Sequence, residues 1–256
     1  MKRIAVVLLG LALVAGCSSS TTRTGGSPTS SSGAVSGSIT VDAASSLTEA
    51  FSTLKADFEK THPGTTINIT YGASSDLETQ IAQGAPVDVF ASASKKNMTA
   101  LGGKALNPAD FVKNTLEIAV PPSNPGHVTS VADLAKPGVK VAVCDPAVPC
   151  GVVAATVFQN AKITVHPKAS LADVKSTLAA VESGEVDAGL VYVTDVRAAD
   201  SKVKGIAIPA NVNASTTYPI AVLKDAKNAA LAQSWVTYVL SSAGRAVLTG
   251  DGFVLP

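Results

Sequence analysis

Between Ser38 and Leu106 the chain passes three times from a strand-like to a helix-like pattern, and this alternation restricts the fold more than any other feature. SITVDAA reads as a short buried strand. SLTEAFSTLKADF then places Leu47, Ala50, Phe51, Leu54 and Phe58 on the single apolar face of a helix, at helical spacing. Pro63 and Gly64 break that helix. TINITYGAS is a second strand, SSDLETQIAQGAP a second helix, VDVFASAS a third strand and KKNMTALGGKAL a third helix. Parallel neighbours need a crossover long enough to hold a helix, so the run predicts a parallel sheet with helices on both faces.

The alternation stalls in the Pro-rich stretch near 119–125 and then restarts. SVADLAKPG is a short helix-like element, KVAVCDP a buried strand and CGVVAATVFQNA a helix opening at Pro149 and Cys150. SLADVKSTLAAVESGE reads as a further helix, VDAGLVYVTDV as a strand, and VKGIAIPANVN and TTYPIAVLK as extended segments. One terminal helix is expected from Asn228 to Phe253. The α/β class therefore takes a two-lobed form, each lobe a mostly parallel sheet flanked by helices. Residues 39–119 with 215–256 are expected as lobe 1 and 120–214 as lobe 2. A ligand would lie in the cleft between them, at the carboxyl ends of the strands.

The first residues, MKRIAVVLLGLALVAGC, set a short basic region before an apolar stretch too short to span a membrane. Small residues precede Cys17, the pattern of a lipoprotein signal peptide over 1–16. A plain secretory leader with an incidental cysteine is the rival reading. Cleavage before Cys17 would attach lipid there and anchor a monomeric protein to the extracytoplasmic face of the cell membrane. Residues 17–38 hold too few apolar side chains to fold and read as a flexible Ser/Thr/Gly tether. Loss of Lys2 and Arg3 with the leader takes the 20 basic residues to 18, against 19 acidic ones. That balance offers no stripe for nucleic acid. Cys144 and Cys150 remain, in VCDPAVPCG. Outside the cell a disulfide closing this loop is favoured, worth about 2 kcal/mol at most. A metal pair is the rival, but no histidine or third cysteine follows at ligand spacing.

Strand-to-helix junctions carry the candidate function. Ser46 precedes Glu49, Ser75 precedes Glu78 and Ser170 precedes Asp173 by three residues, the spacing of a capping box. A fourth junction opens with Pro149. Each has the plain reading that helices need caps. Together they offer more, because helix N-termini expose unpaired N–H groups and partial positive charge. Several converging on one cleft would bind an anion without any basic side chain. The pairs Ser45/Ser46 and Ser74/Ser75 follow successive strands, so one hydroxyl could cap while the other faces the ligand.

A nucleophilic serine needs a base. His62, His127 and His166 all sit beside proline or glycine, or in PGHV, as turn residues. Catalytic and phosphate-loop motifs are absent from the sequence, and Asp88 and Asp187 each precede a buried strand as structural acids. The reading is a binding protein and not an enzyme, with a secreted hydrolase using Ser46, or a lipid-anchored structural domain, as the rivals from other classes.

The pieces AASSLTEAF, YGASSDLETQIAQGAPVDVFASA, VAVCDPAVPCG, ADVKSTLAAVESGEVDAGLVY and TYPIAV with the closing GF resemble the molybdate-binding proteins of ABC-type uptake transporters. The resemblance covers nearly all of 39–256. It implies a bilobal fold that closes on a tetrahedral oxyanion, molybdate or tungstate, without cofactor and with no direct protein ligand to the molybdenum. It implies partners too, a permease and its ATPase. Carried over by position, it implies hydroxyl and backbone donation from Ser46 and Ser74, backbone N–H donation from Cys150 and Val174, and the Tyr192 hydroxyl. Cys150 departs from the alanine of many relatives. A site lined only by donors suits a fully deprotonated dianion and penalises a protonated phosphate. A sulfate receptor is the alternative within the class.

Overall fold

The computed structural model describes residues 35–256. The leader, the lipid-attachment Cys17 and most of the tether lie outside the described residues. The strands are β1 (Gly37–Ala44), β2 (Thr65–Gly72), β3 (Val89–Ala91), β4 (Ala105–Val120), β5 (Val141–Cys144), β6 (Ala169–Leu171), β7 (Ala188–Tyr192), β8 (Lys204–Ala207) and β9 (Ser215–Leu223). The helices are α1 (Thr48–Thr61), α2 (Ser74–Ala82), α3 (Lys95–Ala100), α4 (Pro149–Ala161), α5 (Val174–Glu182), α6 (Val193–Ala199), α7 (Ala229–Leu240) and α8 (Ser242–Gly250).

The sheet is mixed. β2, β1 and β3 run parallel in that order, as βα crossovers demand, and β9 joins β3 antiparallel. β6, β5 and β7 repeat the same arrangement in the second half of the chain, and β4 joins β7 antiparallel. The long β4 belongs to both halves. It pairs with β9 through Thr115, opposite Ser215, and with β7 from Leu116, opposite Tyr192. The change of partner thus falls inside a strand, ahead of Pro121 and Pro122. We call the half with β1, β2, β3 and β9 the first lobe and the half with β5, β6 and β7 the second.

Each lobe has its own core. Ile39, Val41, Phe51, Leu54 and Phe58 pack with Trp235 and Val239 of α7 in the first. Trp235 meets Phe51 and Phe58 edge to face, with ring centroids 5.8 and 5.5 Å apart. Val141, Val157, Val181 and Leu190 centre the second. The smaller cluster of Leu77, Phe90, Met98 and Leu223 lies under α2 and α3.

Several local expectations change. β1 begins at Gly37, inside the stretch read as tether, because its backbone pairs with Thr65 of β2. The terminal helix divides at Ser241, whose hydroxyl caps α8 by accepting from the Gly244 N–H. The three serine capping boxes do not form. Ser46 sits in a 3-10 turn without a side-chain cap, and Ala73 precedes α2 without one. Ser170 lies in β6, and Asp173 caps α5 by accepting from Ser176 N–H at 2.7 Å. The spacing of a box does not reveal which residue starts the helix. Asp88 does prove structural, accepting from the Thr40 and Lys227 N–H groups. Asp187 does likewise, accepting from Lys140 N–H.

Candidate functional site

Both parallel triplets point their carboxyl ends at the same place. A cavity there is lined from the first lobe by Ala44, Ser45, Ser46, Gly72, Ala73, Ser74 and Ala93, and from the second by Val148, Pro149, Cys150, Asp173, Val174 and Tyr192. The enclosed space is small, about 10 Å³, so the cavity suits at most one compact group. All five residues singled out in the sequence, Ser46, Ser74, Cys150, Val174 and Tyr192, line it. Ser75 does not; it is partly exposed on the outer side of α2.

The donors come from the way helices begin. In α4 the first intrahelical bond runs from Val152 N–H to Val148, which leaves the Cys150 and Gly151 N–H groups open, Pro149 having none. In α5 Ser176 N–H goes to the Asp173 side chain and Thr177 N–H to the Asp173 carbonyl, leaving Val174 and Lys175 open. In α2 the first bond is from Asp76 N–H to Ala73, which leaves Ser74 and Ser75. Cys144 and Cys150 are joined as a disulfide with Cα atoms 5.7 Å apart, closing the loop that leads into α4. Gly151 is required beneath that loop, since a Cβ there would lie 1.9 Å from the Asp145 carbonyl oxygen.

Three hydroxyls complete the lining, each at least nine-tenths buried: Ser46 (3% exposed), Ser74 (1%) and Tyr192 (1%). Ser74 Oγ accepts from Ala93 N–H at 2.9 Å. Ser46 Oγ shares a 2.8 Å hydrogen bond with the Tyr218 hydroxyl. The Tyr192 hydroxyl has no partner among the described residues, a costly state for a buried donor unless a ligand occupies the cavity. Burial, with Tyr218 and Asp195 nearby, pushes its phenol well above the ordinary range, so it stays protonated and able to donate. Tyr218, at the centre of β9, was legible in the sequence only as a strand residue of TYPIAV, with no signal for a role at the cavity.

No basic side chain lines the cavity. Lys175 follows the lining residue Val174 in α5. Its ammonium bonds both carboxylate oxygens of Glu49 at 2.8 Å, across from one lobe to the other, and lies 3.1 Å from the buried Asp195. Burial disfavours its charge, but Asp195 and Glu49 outweigh burial and raise its pKa. The same burial lifts Asp195 to about 6 against the pull of Lys175. The cation is thus committed to two carboxylates. Ser46 meets a tyrosine and not a base, while the His62 ring stacks on Phe58 at 4.0 Å. The arrangement can hold an acceptor-rich anion through dipoles and hydrogen bonds; it has no activated nucleophile.

Comparison with known proteins gives consistent results. The family model for the bacterial extracellular solute-binding protein matches residues 39–254. A Mycobacterium tuberculosis protein named molybdate-binding protein ModA is 38% identical over 222 residues, covering 86% of this chain and 85% of that one. A Bacillus subtilis protein provisionally named an ABC transporter substrate-binding lipoprotein, YvgL, is 33% identical over 256 residues, covering 96% of this chain and 95% of its own. The solved structure of the Azotobacter vinelandii periplasmic molybdate-binding protein shares the fold, with a TM-score of 0.76 at 23% identity, over 85% of this chain and 99% of that one.

Proposed function

We propose, from the premise that this chain belongs to the bacterial extracellular solute-binding protein family, that it captures molybdate or tungstate and delivers it to an ABC transporter permease and its ATPase. The observation that carries the reading is the convergence of donors on one cavity whose one carboxylate, Asp173, already accepts from Ser176 N–H. Hydroxyls of Ser46, Ser74 and Tyr192 and backbone N–H groups of Cys150 and Val174 face one small space with no counter-charge. A tetrahedral dianion offers acceptors on every side and matches such a lining. The molybdate-binding name of the relatives supports the choice of ion. The lipoprotein named among the relatives aligns over almost the whole chain, which supports an anchor at Cys17 and a place outside the cytoplasm.

Calorimetric titration of the mature protein with molybdate, tungstate, sulfate and phosphate tests this. Tight molybdate and tungstate binding, weaker sulfate and much weaker phosphate is the expected order. Sulfate binding as tight as molybdate would assign the protein to sulfate instead.

A further inference from the structure

We infer that Lys175 and Glu49 are positioning residues whose ion pair clasps the second lobe to the first, so that it sets how long the bound ion is held and not how fast it arrives. The inference rests on the oxyanion reading above and concerns how that site keeps its ion. The cavity takes its lining from both lobes, and the hydroxyl residues Ser46, Ser74 and Tyr192 are at most 3% exposed. An ion enclosed by them can leave only when the lobes part, and parting breaks whatever joins them across the cleft. Among the described residues the Lys175–Glu49 bridge is the one ion pair that joins the lobes; the other pairs lie within a lobe. The lobes do not pack closely beside it. A cavity of about 260 Å³ lies there, lined by Ser46, Glu49 and Phe253 from the first lobe and Thr194 and Arg197 from the second.

The bridge is placed to act on the donors. Lys175 directly follows Val174, and Glu49 stands in the first turn of α1, just after Ser46. Asp195 holds the same ammonium at 3.1 Å through Oδ1, while its Oδ2 accepts from Tyr192 N–H at 3.1 Å. One line of bonds therefore runs from the start of α1, through Lys175 at the start of α5, to the strand end that carries Tyr192. It fixes the first-lobe donor Ser46 against the second-lobe donors Val174 and Tyr192. Attraction of the ion does not explain the arrangement. One ammonium faces two carboxylates, so the group as a whole repels a dianion. Glu49 and Asp195 take up a cation that would otherwise draw the ion in. Simple electrostatics and the clasp thus make opposite forecasts for a protein that lacks the Glu49 charge.

Glu49→Gln is the test, because Glu49 is partly exposed and its loss leaves Asp195 to hold Lys175. Labelled molybdate bound to the mature protein is chased with excess unlabelled molybdate to read release, and rapid mixing reads association. Attraction alone predicts faster association and tighter binding, since a negative charge has gone. The clasp predicts release about three- to fivefold faster and a weaker overall affinity, with association unchanged or slightly faster. Glu49→Ala should release at least as fast. Raising sodium chloride from about 0.05 to 0.5 M should speed release from the wild type and not from Glu49→Gln, since only the wild type has the pair to screen. A Lys175→Met, Asp195→Asn background removes the cation and its buried partner together. There Glu49→Gln should leave release unchanged. Release at the wild-type rate in Glu49→Gln, tighter binding in it, or an equal acceleration in the background without Lys175 overturns the inference alone. Wild-type protein that binds sulfate in place of molybdate overturns the functional reading alone, and the same chase with labelled sulfate then tests the clasp. Wild-type protein that binds no oxyanion overturns both.

Discussion

The two lobes repeat one strand order, β2-β1-β3 and β6-β5-β7, yet they furnish the cavity by different means. The first lobe contributes mainly side chains, Ser46 and Ser74, each held by a further protein group, beside the open Ser74 N–H of α2. The second contributes backbone, the open N–H groups at the starts of α4 and α5, and adds the Tyr192 hydroxyl. A side-chain donor can be deleted by changing one residue. A backbone donor survives any change except one that removes the N–H or moves the helix. The comparison therefore separates positions whose chemistry matters from positions whose place alone matters.

The largest effect is expected at Ser74. Ser74→Ala removes a donor and also leaves the Ala93 N–H without its partner at the cavity wall. Binding should weaken by about 2–3 kcal/mol, read by titration calorimetry. In the second lobe, Val174 gives the sharper contrast. It is the first residue of α5, and Asp173 before it is extended, at φ −153° and ψ 177°, so Val174→Pro fits the backbone. The proline removes one N–H and should cost about 1–1.5 kcal/mol of affinity with the helix content unchanged by circular dichroism. Val174→Ala should alter affinity by less than about 0.5 kcal/mol. Equal losses in the two variants would break the comparison, because the side chain would then matter after all.

Tyr192→Phe divides binding from stability. Its hydroxyl is an orphan in the ligand-free protein. Phenylalanine there should weaken molybdate binding by about 1 kcal/mol yet leave the ligand-free melting temperature equal or higher. A large fall in melting temperature would mean the hydroxyl has a structural partner. A further contrast concerns two buried acids. Asp42 in the first lobe is raised to about 6 by burial alone, whereas at Asp195 in the second Lys175 opposes burial. A carboxyl whose folded pKa lies above its unfolded value of 3.8 favours the fold while protonated, and that contribution is lost as pH rises through about 6. Asp42→Asn should therefore stabilise by about 1 kcal/mol at pH 8 and have no effect below about pH 4, measured by urea unfolding. Asp195→Asn should not stabilise, since it leaves Lys175 short of one partner.

How much of this was legible in the sequence follows the same division. The βα alternation announced the first parallel triplet, whereas β6 of the second lay in a stretch read as the start of a helix, and the serine pairs at strand ends marked the first lobe's hydroxyls. The antiparallel β4 and β9 were harder to see, because a strand shared by both halves of the sheet carries no periodicity that differs from a strand in one. Cys150 and Val174 could come only from the family resemblance, since a backbone N–H leaves no trace in residue type. Tyr218 was hidden because a buried strand tyrosine looks the same whether its hydroxyl meets a cavity serine or merely fills the core. The capping boxes misled for a related reason: Ser46 Oγ pairs with the Tyr218 hydroxyl, and Glu49 reaches across to Lys175.

The central claim, capture of a dianion without counter-charge, is most directly tested by a crystal structure of the protein with molybdate. The account predicts the ion in the cavity with its oxygens about 2.7–3.1 Å from Ser46 Oγ, Ser74 Oγ, the Tyr192 hydroxyl and the N–H groups of Cys150 and Val174. Lys175 should remain bonded to Glu49 and Asp195. Molybdate bound elsewhere, or held by a Lys175 ammonium that has left its carboxylates, would contradict it.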